Sequence, residues 1–445
     1  MRLKDVRSPL HSKVCGWFFC SILLATLACL GSFHALAASG PAPPTKPIPP
    51  TYFGLHAQRI VVPPRLQMPP APWPTVPFGS FRLWSIPDWF QINARRDYNW
   101  MALDRFLDLT EEHRVNVLYT IGHTPRWASS NPDDRECPPA YSPGGCDPPS
   151  DLKPDGGGSD EAFRNFITAL AKHAKGRIQN YEGWNEPSGR QWKGTPQQLV
   201  RMTKDMNSIV KEIDPSANIL TPPCLGSPRD NARCLDEFLR AGGGQYVDVI
   251  SFHGYLWPHP PVPERIIDLV QAIREVMDHN GQADKPLWDT EAAWGHREEY
   301  PNPDLQAAFL ARMYLLHWSL GVERFYWFTW SHYPTGTLYD AETNQLTKAG
   351  VAYAQMYKWL VGATQTEACR EKSGVWACGY TRSGGYSAQA VWDANLDVSR
   401  TKPYNAAPQF TRYRDLEGNV SDVPKNHSVP IGQKPILLET GPPAP

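Results

Sequence analysis

Arg177-Ile178-Gln179-Asn180-Tyr181-Glu182-Gly183-Trp184-Asn185-Glu186-Pro187 is the stretch whose reading decides the fold. It reads as a short strand running into an Asn-Glu-Pro turn. Pro187 cannot donate to a ladder and biases the residue before it away from αR, so the strand should stop at Glu186. A carboxylate then sits at the carboxyl end of a strand. A second such place lies far downstream, where Pro286-Leu287-Trp288-Asp289-Thr290-Glu291 leads into Ala292-Ala293-Trp294-Gly295. Two strand-end glutamates, separated by helices and further strands, suit paired-carboxylate chemistry on a (β/α)8 barrel.

Working outward, apolar periodicity alternates between strand and helix. Strands are expected at 52–56, 80–84, 115–121, 178–185, 218–221, 247–253, 287–291 and 324–330. Helices are expected at 99–113, 160–175, 196–213, 231–241, 263–279 and 304–320, with a last one at 347–361. Thr195-Pro196 supplies an N-cap and a first-turn proline for the third of these. Eight strands alternating with helices are the signature of an α/β TIM barrel. A proline-rich passage at 63–77 stands where a first helix would be. From 364 the pattern changes to short strands with Gly and Pro punctuation, which reads as a small C-terminal β-sandwich. The division expected is 1–37 signal peptide, 38–50 proline-rich linker, 51–362 catalytic barrel and 363–445 β-sandwich domain.

Trp184-Asn185-Glu186-Pro187 followed by Thr290-Glu291 resembles the retaining glycoside hydrolases of clan A. The family most similar is family 39 (β-xylosidase, α-L-iduronidase and exopolysaccharide endoglycosidases), with family 5 next. The resemblance implies that Glu186, ending the fourth strand, is the acid/base and Glu291, ending the seventh, the nucleophile. Cleavage would pass through a covalent glycosyl-enzyme, with the two carboxyl groups roughly 5–5.5 Å apart. It also implies that Asn185 holds the sugar 2-hydroxyl, that Tyr255 of the His253-x-Tyr255 pair orients the nucleophile, and that Trp330 lies under the sugar at the cleavage point. A non-catalytic carbohydrate-binding barrel and a transglycosidase using the same glutamates are the alternatives.

Period-two alternation adds neighbours. Glu182 shares parity with Glu186, and Asp289 with Glu291; both read as inward structural hydrogen-bonders lying deeper in the barrel. Arg82, ending the second strand, would keep Glu291 ionised. His56 and His123 end the first and third strands and could reach sugar hydroxyls. Aromatics are abundant, with 17 Trp, 18 Tyr and 16 Phe, and flat apolar faces suit sugar rings. Trp127, Trp192, Trp257 and Trp294 fall in loops after strands, the face where barrel sites form.

The net charge of −1 excludes a polybasic nucleic-acid surface. Arg2, Lys4, Arg7 and Lys13, the apolar run Val14–Leu30 and then Ala35-Leu36-Ala37 form a secretory signal with cleavage expected after Ala37. The apolar run is shorter than a membrane span of ~20 residues, so no stable membrane insertion is expected once it is removed. The six cysteines beyond it fall in three close pairs, Cys137/Cys146, Cys224/Cys234 and Cys369/Cys378. Local bridges are expected, each contributing about 2–3 kcal/mol by loop closure. No C-x-x-C, G-x-S-x-G, H-E-x-x-H, phosphate loop or dinucleotide fingerprint is present. The expectation is therefore a secreted or periplasmic enzyme acting on a polysaccharide or oligosaccharide, with no metal or other cofactor.

Overall fold

The structure is a computed structural model that describes residues 44–62, 70–94, 97–137, 142–187, 191–295, 298–331 and 335–441. The expected signal peptide and residues 38–43 of the proline-rich linker lie outside the described residues. So does part of the 63–77 passage.

Eight parallel strands form the barrel: β1 Phe53–Leu55, β2 Ser80–Leu83, β3 Asn116–Ile121, β4 Asn180–Gly183, β5 Asn218–Leu220, β6 Ile250–His253, β7 Leu287–Ala292 and β8 Val322–Trp327. They pair in the order β5-β4-β3-β2-β1-β8-β7-β6. Parallel bridges from Leu220 to Val249 and from Cys224 to Phe252 join β5 to β6 and close the ring. The chain is thus a TIM barrel followed by antiparallel sheets.

Among the described residues seven helices clad the barrel or cap it: α2 Met101–Glu112, α3 Glu161–His173, α4 Pro196–Ile213, α5 Pro228–Arg240, α6 Ile266–His279, α7 Pro303–Ser319 and α8 Lys348–Leu360. A single-turn helix, α1 Trp89–Ile92, follows β2; its Asp88–Gln91 capping box had no periodic stretch to announce it. Thr195 caps α4 from its side chain, and Pro196 occupies the first turn where its missing N–H costs nothing. Among the described residues no α-helix lies between β1 and β2.

The barrel lumen is filled from below. Leu118, Leu220, Val249, Trp288 and Tyr326 form one buried cluster. Arg324 stacks on Trp288 at 4.0 Å. Above that layer the inward residues turn polar, and there the site is built.

A short hairpin of β9 Tyr339–Asp340 and β10 Gln345–Leu346 precedes α8, and beyond α8 six strands form an antiparallel sheet in the order β11-β12-β13-β18-β15-β16. They are β11 Thr364–Lys372, β12 Val375–Arg382, β13 Tyr386–Asp393, β15 Arg412–Arg414, β16 Val420–Asp422 and β18 Ile436–Glu439. A ribbon of β14 Lys402–Asn405 and β17 Ser428–Ile431 covers one face, enclosing Val391, Phe410, Val429 and Leu438. The other face carries Ala388, Ala390 and Trp392 into the barrel's own core. Period two thus gives β13 two buried faces. This explains α7, which is buried on nearly all sides. The sheet covers the face of α7 that other barrel helices leave to water. Trp392 Nε1 and Arg312 Nε both donate to Glu264 Oε1, at 2.9 and 2.8 Å, pinning sheet to barrel. The strands at 402–405, 420–422 and 428–431 are too short for alternation to reveal.

Disulfides join Cys137 to Cys146, Cys224 to Cys234 and Cys369 to Cys378. The first lies in the long loop after β3. Lys193, just past the Glu186 turn, holds that loop through ion pairs to Asp134 (2.5 Å) and Glu136 (2.8 Å).

Candidate active site

The carboxyl ends of β2, β4, β6 and β7 bring Arg82, Asn185, Glu186, His253, Tyr255 and Glu291 together. One oxygen of Glu186, one of Glu291 and a ring nitrogen of His253 all lie within 4.8 Å of one another. Both glutamates are 7% exposed.

Each carboxylate is held by side chains from other strands. Glu291 Oε1 accepts from the Tyr255 hydroxyl at 2.9 Å, and its Oε2 accepts from Arg82 Nη1 at 2.7 Å. Glu186 Oε1 shares a 2.7 Å hydrogen bond with His253 Nδ1, and its Oε2 accepts from Gln191 Nε2. Arg82 Nη2 also donates to Asn185 Oδ1 at 2.9 Å. Glu182 is the deeper partner of the arginine: its Oε2 accepts from Arg82 Nε and Nη2 and from Thr120 Oγ1.

The fourth strand ends earlier than the sequence suggests. β4 stops at Gly183, and both Trp184 and Glu186 take left-handed conformations, with φ of 68° and 46°. Neither residue has the glycine freedom that region favours, and such strain gathers at functional sites. Alternation therefore does not run from Glu182 through to Glu186. Trp184 instead tucks against Trp192 (4.7 Å, edge to face) and sends its indole N–H to the Gln191 carbonyl.

The seventh strand departs in a different way. His253 pairs with Glu291 while Phe252 pairs with Asp289, leaving Thr290 as the extra residue of a bulge. A bulge shifts the alternation by one. Trp288 and Glu291 face the lumen, whereas Asp289 turns out to His317 on α7, 2.8 Å away. The expectation that Asp289 lies inward beneath Glu291 is corrected here. Its Oδ1 accepts from the backbone N–H of Gly254 (3.1 Å) and of Glu291 (3.2 Å), so it fixes the bulge from behind.

Burial pushes the Glu291 carboxyl above its ordinary pKa, and the Glu186 charge adds to this; His253, Arg82 and the Tyr255 hydroxyl pull it back. Burial alone would lower His253, but the carboxylates of Glu291 and Glu186 outweigh it and hold the imidazole above its usual value. Burial likewise works against the Arg82 charge, and Glu182 and Glu291 more than restore it. The Tyr255 hydroxyl stands well above its ordinary value, first from burial and then from the Glu291 charge. It therefore remains a donor. Glu186, His253 and Glu291 could together offer three ligand atoms to a metal ion. The Arg82 cation already bonded to Glu291 disfavours a second positive charge there.

Several residues expected to line the site are buried or held by other partners. His56 is wholly buried; its Nε2 donates to the Thr290 carbonyl at 3.0 Å, so it supports the bulge from inside. Burial and the Arg82 charge keep that ring neutral by lowering its pKa well below the usual value. His123 is also fully buried, 3.0 Å from the Asp88 carboxylate that caps α1. Trp330 comes three residues after β8 ends and is 0% exposed. The chain turns back over it, Tyr339 stacks on its ring at 4.8 Å, and its Nε1 donates to the Pro72 carbonyl. It presents no open face to a sugar. Trp294 is 2% exposed and packs against Trp327 at 5.2 Å, in the core. Trp127 is half-buried, its indole N–H on the Asn93 carbonyl at 2.7 Å. Gln191 was missed: an amide five residues past a strand end carries no periodic signal.

Residues 154–353 match the family model of a glycosyl hydrolase catalytic core. The matched span contains both Glu186 and Glu291. No curated protein sequence matches the chain. Among solved structures it is similar to a family 39 glycoside hydrolase of Bacteroides cellulosilyticus, with TM-score 0.66, 18% identity, and coverage of 90% of this chain and 83% of that one. It is also similar to a family 30 subfamily 8 xylanase of Clostridium acetobutylicum (TM-score 0.58, 17% identity, covering 87% and 95%). A family 44 xyloglucanase of Paenibacillus polymyxa has TM-score 0.53 at 11% identity, covering 89% and 97%. At these identities the likeness speaks for the fold.

Proposed function

We propose that this protein is an exported retaining glycoside hydrolase that cleaves a poly- or oligosaccharide by double displacement. The observation that carries this is the approach of the Glu186 and Glu291 carboxyl oxygens to within 4.8 Å. Inverting enzymes need roughly 6.5–9.5 Å to seat a water between their carboxyl groups; retaining enzymes need about 5–5.5 Å.

Glu291 attacks the anomeric carbon. Its two oxygens are already aimed by Tyr255 and Arg82, and the arginine's charge favours the ionised form. Glu186 protonates the departing glycosidic oxygen, then takes a proton from the water that releases the glycosyl-enzyme. His253 and Gln191 fix its two oxygens. Asn185, oriented by Arg82, is placed beside the acid to hold a sugar hydroxyl. Residues 51–362 form the catalytic part in this reading and 363–445 a supporting one. Export agrees with three disulfides, which persist in oxidising compartments. Among the described residues no helix is long and apolar enough to cross a membrane.

The test is trapping with 2-fluoro glycosides, followed by peptide mapping. A label on Glu291 is expected, together with retained configuration in the first product seen by NMR. A label on Asp289 or Glu182, or inversion, would overturn the assignment.

A further inference from the structure

β6 ends at His253, and the chain beyond it bends through residues 257–260 beside the site. His253 meets Glu186 and Tyr255 meets Glu291; two residues on stands Trp257, then His259. The ring centres of Tyr255 and Trp257 are 6.5 Å apart, and those of Trp257 and His259 are 6.0 Å apart. The three rings therefore follow one another away from Glu291, to which the first of them, Tyr255, is bonded.

Trp257 is 40% exposed and, among the described residues, the only tryptophan left so open. A lone exposed aromatic is ordinary. This one is also held in place. Pro258, Pro260, Pro261 and Pro263 fix four φ angles in the segment that carries it, so presenting the ring costs little entropy. Arg265 Nη1 donates to the Trp257 carbonyl at 3.1 Å. Polar groups stand at its edge: His259 Nδ1 lies 3.2 Å from Glu299 Oε2, which comes from the loop after β7. That loop passes close because Gly295 has φ of 90° and no side chain; a Cβ there would sit 3.0 Å from the His259 ring.

We infer that Trp257, with His259 and Glu299 at its rim, is a second sugar subsite. It is a platform for the unit next to the one cleaved between Glu186 and Glu291. A flat apolar ring meets the C–H face of a pyranose, and the charged rim meets its hydroxyls. The inference rests on the hydrolase reading and deepens it: the substrate is a chain of at least two sugars rather than a single-sugar glycoside.

Binding and turnover are measured separately. Glu291→Gln is screened on a glycan array, and Trp257→Ala and Trp257→Phe are then built into that background. Alanine should weaken binding of the bound oligosaccharides about tenfold, and phenylalanine less. In the active enzyme, Trp257→Ala should lower kcat/KM about tenfold more for oligosaccharides of three or more units than for an aryl glycoside of the same sugar. Equal binding by the alanine variant, or an unchanged ratio of the two kcat/KM values, would overturn the subsite. Glycan binding by Glu291→Gln without any turnover by the wild type would instead overturn the hydrolase reading and leave the platform standing.

Discussion

Arg82 Nη1 donates to Glu291 Oε2 at 2.7 Å while Nε and Nη2 of the same guanidinium grip Glu182 Oε2, at 2.9 and 2.6 Å. One buried cation thus serves a candidate nucleophile and a deeper carboxylate that cannot reach water. The two tasks separate on mutation. Arg82→Ala leaves Glu182 charged and unpaired, at a cost of about 3–5 kcal/mol, and should lower Tm sharply. Arg82→Met with Glu182→Gln removes both charges and should recover most of that stability. Turnover should remain low in both, because each lacks the Arg82 donor that aims Glu291 Oε2 and helps to keep that carboxyl ionised. Thermal melts beside kcat/KM distinguish the roles; recovery of activity in the double variant would refute the assignment.

Tyr255 offers a cleaner change. Its hydroxyl bonds Glu291 Oε1 at 2.9 Å and pulls the carboxyl pKa down. Tyr255→Phe keeps the ring and removes only that donor. A hydrogen bond to a charged group is worth about 1.5–3 kcal/mol, so kcat/KM should fall about 10- to 100-fold. The sign on pH follows. Without the donor the Glu291 pKa rises, and the acid limb of the pH–rate profile moves to higher pH. An unmoved acid limb would count against Glu291 as the group that must be ionised.

How much of this the sequence disclosed depended on regular geometry. Glu186, Glu291 and Arg82 stand at strand ends whose rhythm periodicity detects, while the part expected of Tyr255 comes from the family resemblance. The bulge at Thr290 was not legible: one extra residue leaves the apolar pattern of 287–292 almost unchanged, yet it turns Asp289 from lumen to helix layer. Nor were the left-handed backbones of Trp184 and Glu186, since neither residue type advertises positive φ. Trp330 and Trp294 had the right composition for a sugar floor. Their burial is set by Tyr339 and Trp327, partners that only the tertiary fold supplies.

His253 predicts a pH dependence of stability. Its folded pKa is raised above 6.5, against the pull of burial, by Glu291 and Glu186. Its stabilising contribution is therefore complete below about 6.5 and is lost as pH rises through the folded value. His253→Gln removes this. The Tm difference between wild type and variant should be largest at acidic pH and shrink from 6.5 upward. A difference that grows with pH would mean the imidazole is neutral in the folded protein.

Asp160, just before α3, gives a second handle on stability. Burial first, then the charge and hydrogen bond of Asp205 and the charge of Asp151, push its carboxyl from 3.8 to about 8, with Arg201 opposing. The folded protein holds that proton, so stability is full below 3.8 and declines as pH rises toward 8. Asp160→Asn keeps a neutral side chain at every pH and tolerates the left-handed backbone (φ 49°). It should match wild type near pH 4 and melt several degrees higher near pH 8, with kcat/KM unaltered. Equal melting at both pH values would place the proton elsewhere.

The bulge can be tested from behind. Gly254 N–H donates to Asp289 Oδ1 at 3.1 Å, and a Cβ on Gly254 would lie 2.0 Å from Asp289 Oδ2. Gly254→Ala must therefore push Asp289 away from His317 and from the Glu291 N–H that it also accepts. No residue proposed to touch substrate is changed. What changes is the backbone that sets Glu291 on the lumen side of β7. Misplacing a reacting group by about 1 Å costs roughly 100-fold in rate, so kcat should fall by about that factor. Circular dichroism should show an intact fold, and the 2-fluoro label should form on Glu291 at a correspondingly lower rate. His317→Leu removes the outer anchor of the same carboxylate and should lower kcat in the same direction, with KM little altered. If both variants turn over at the wild-type rate, the geometry of Glu291 does not depend on Asp289, and the bulge is a packing feature only.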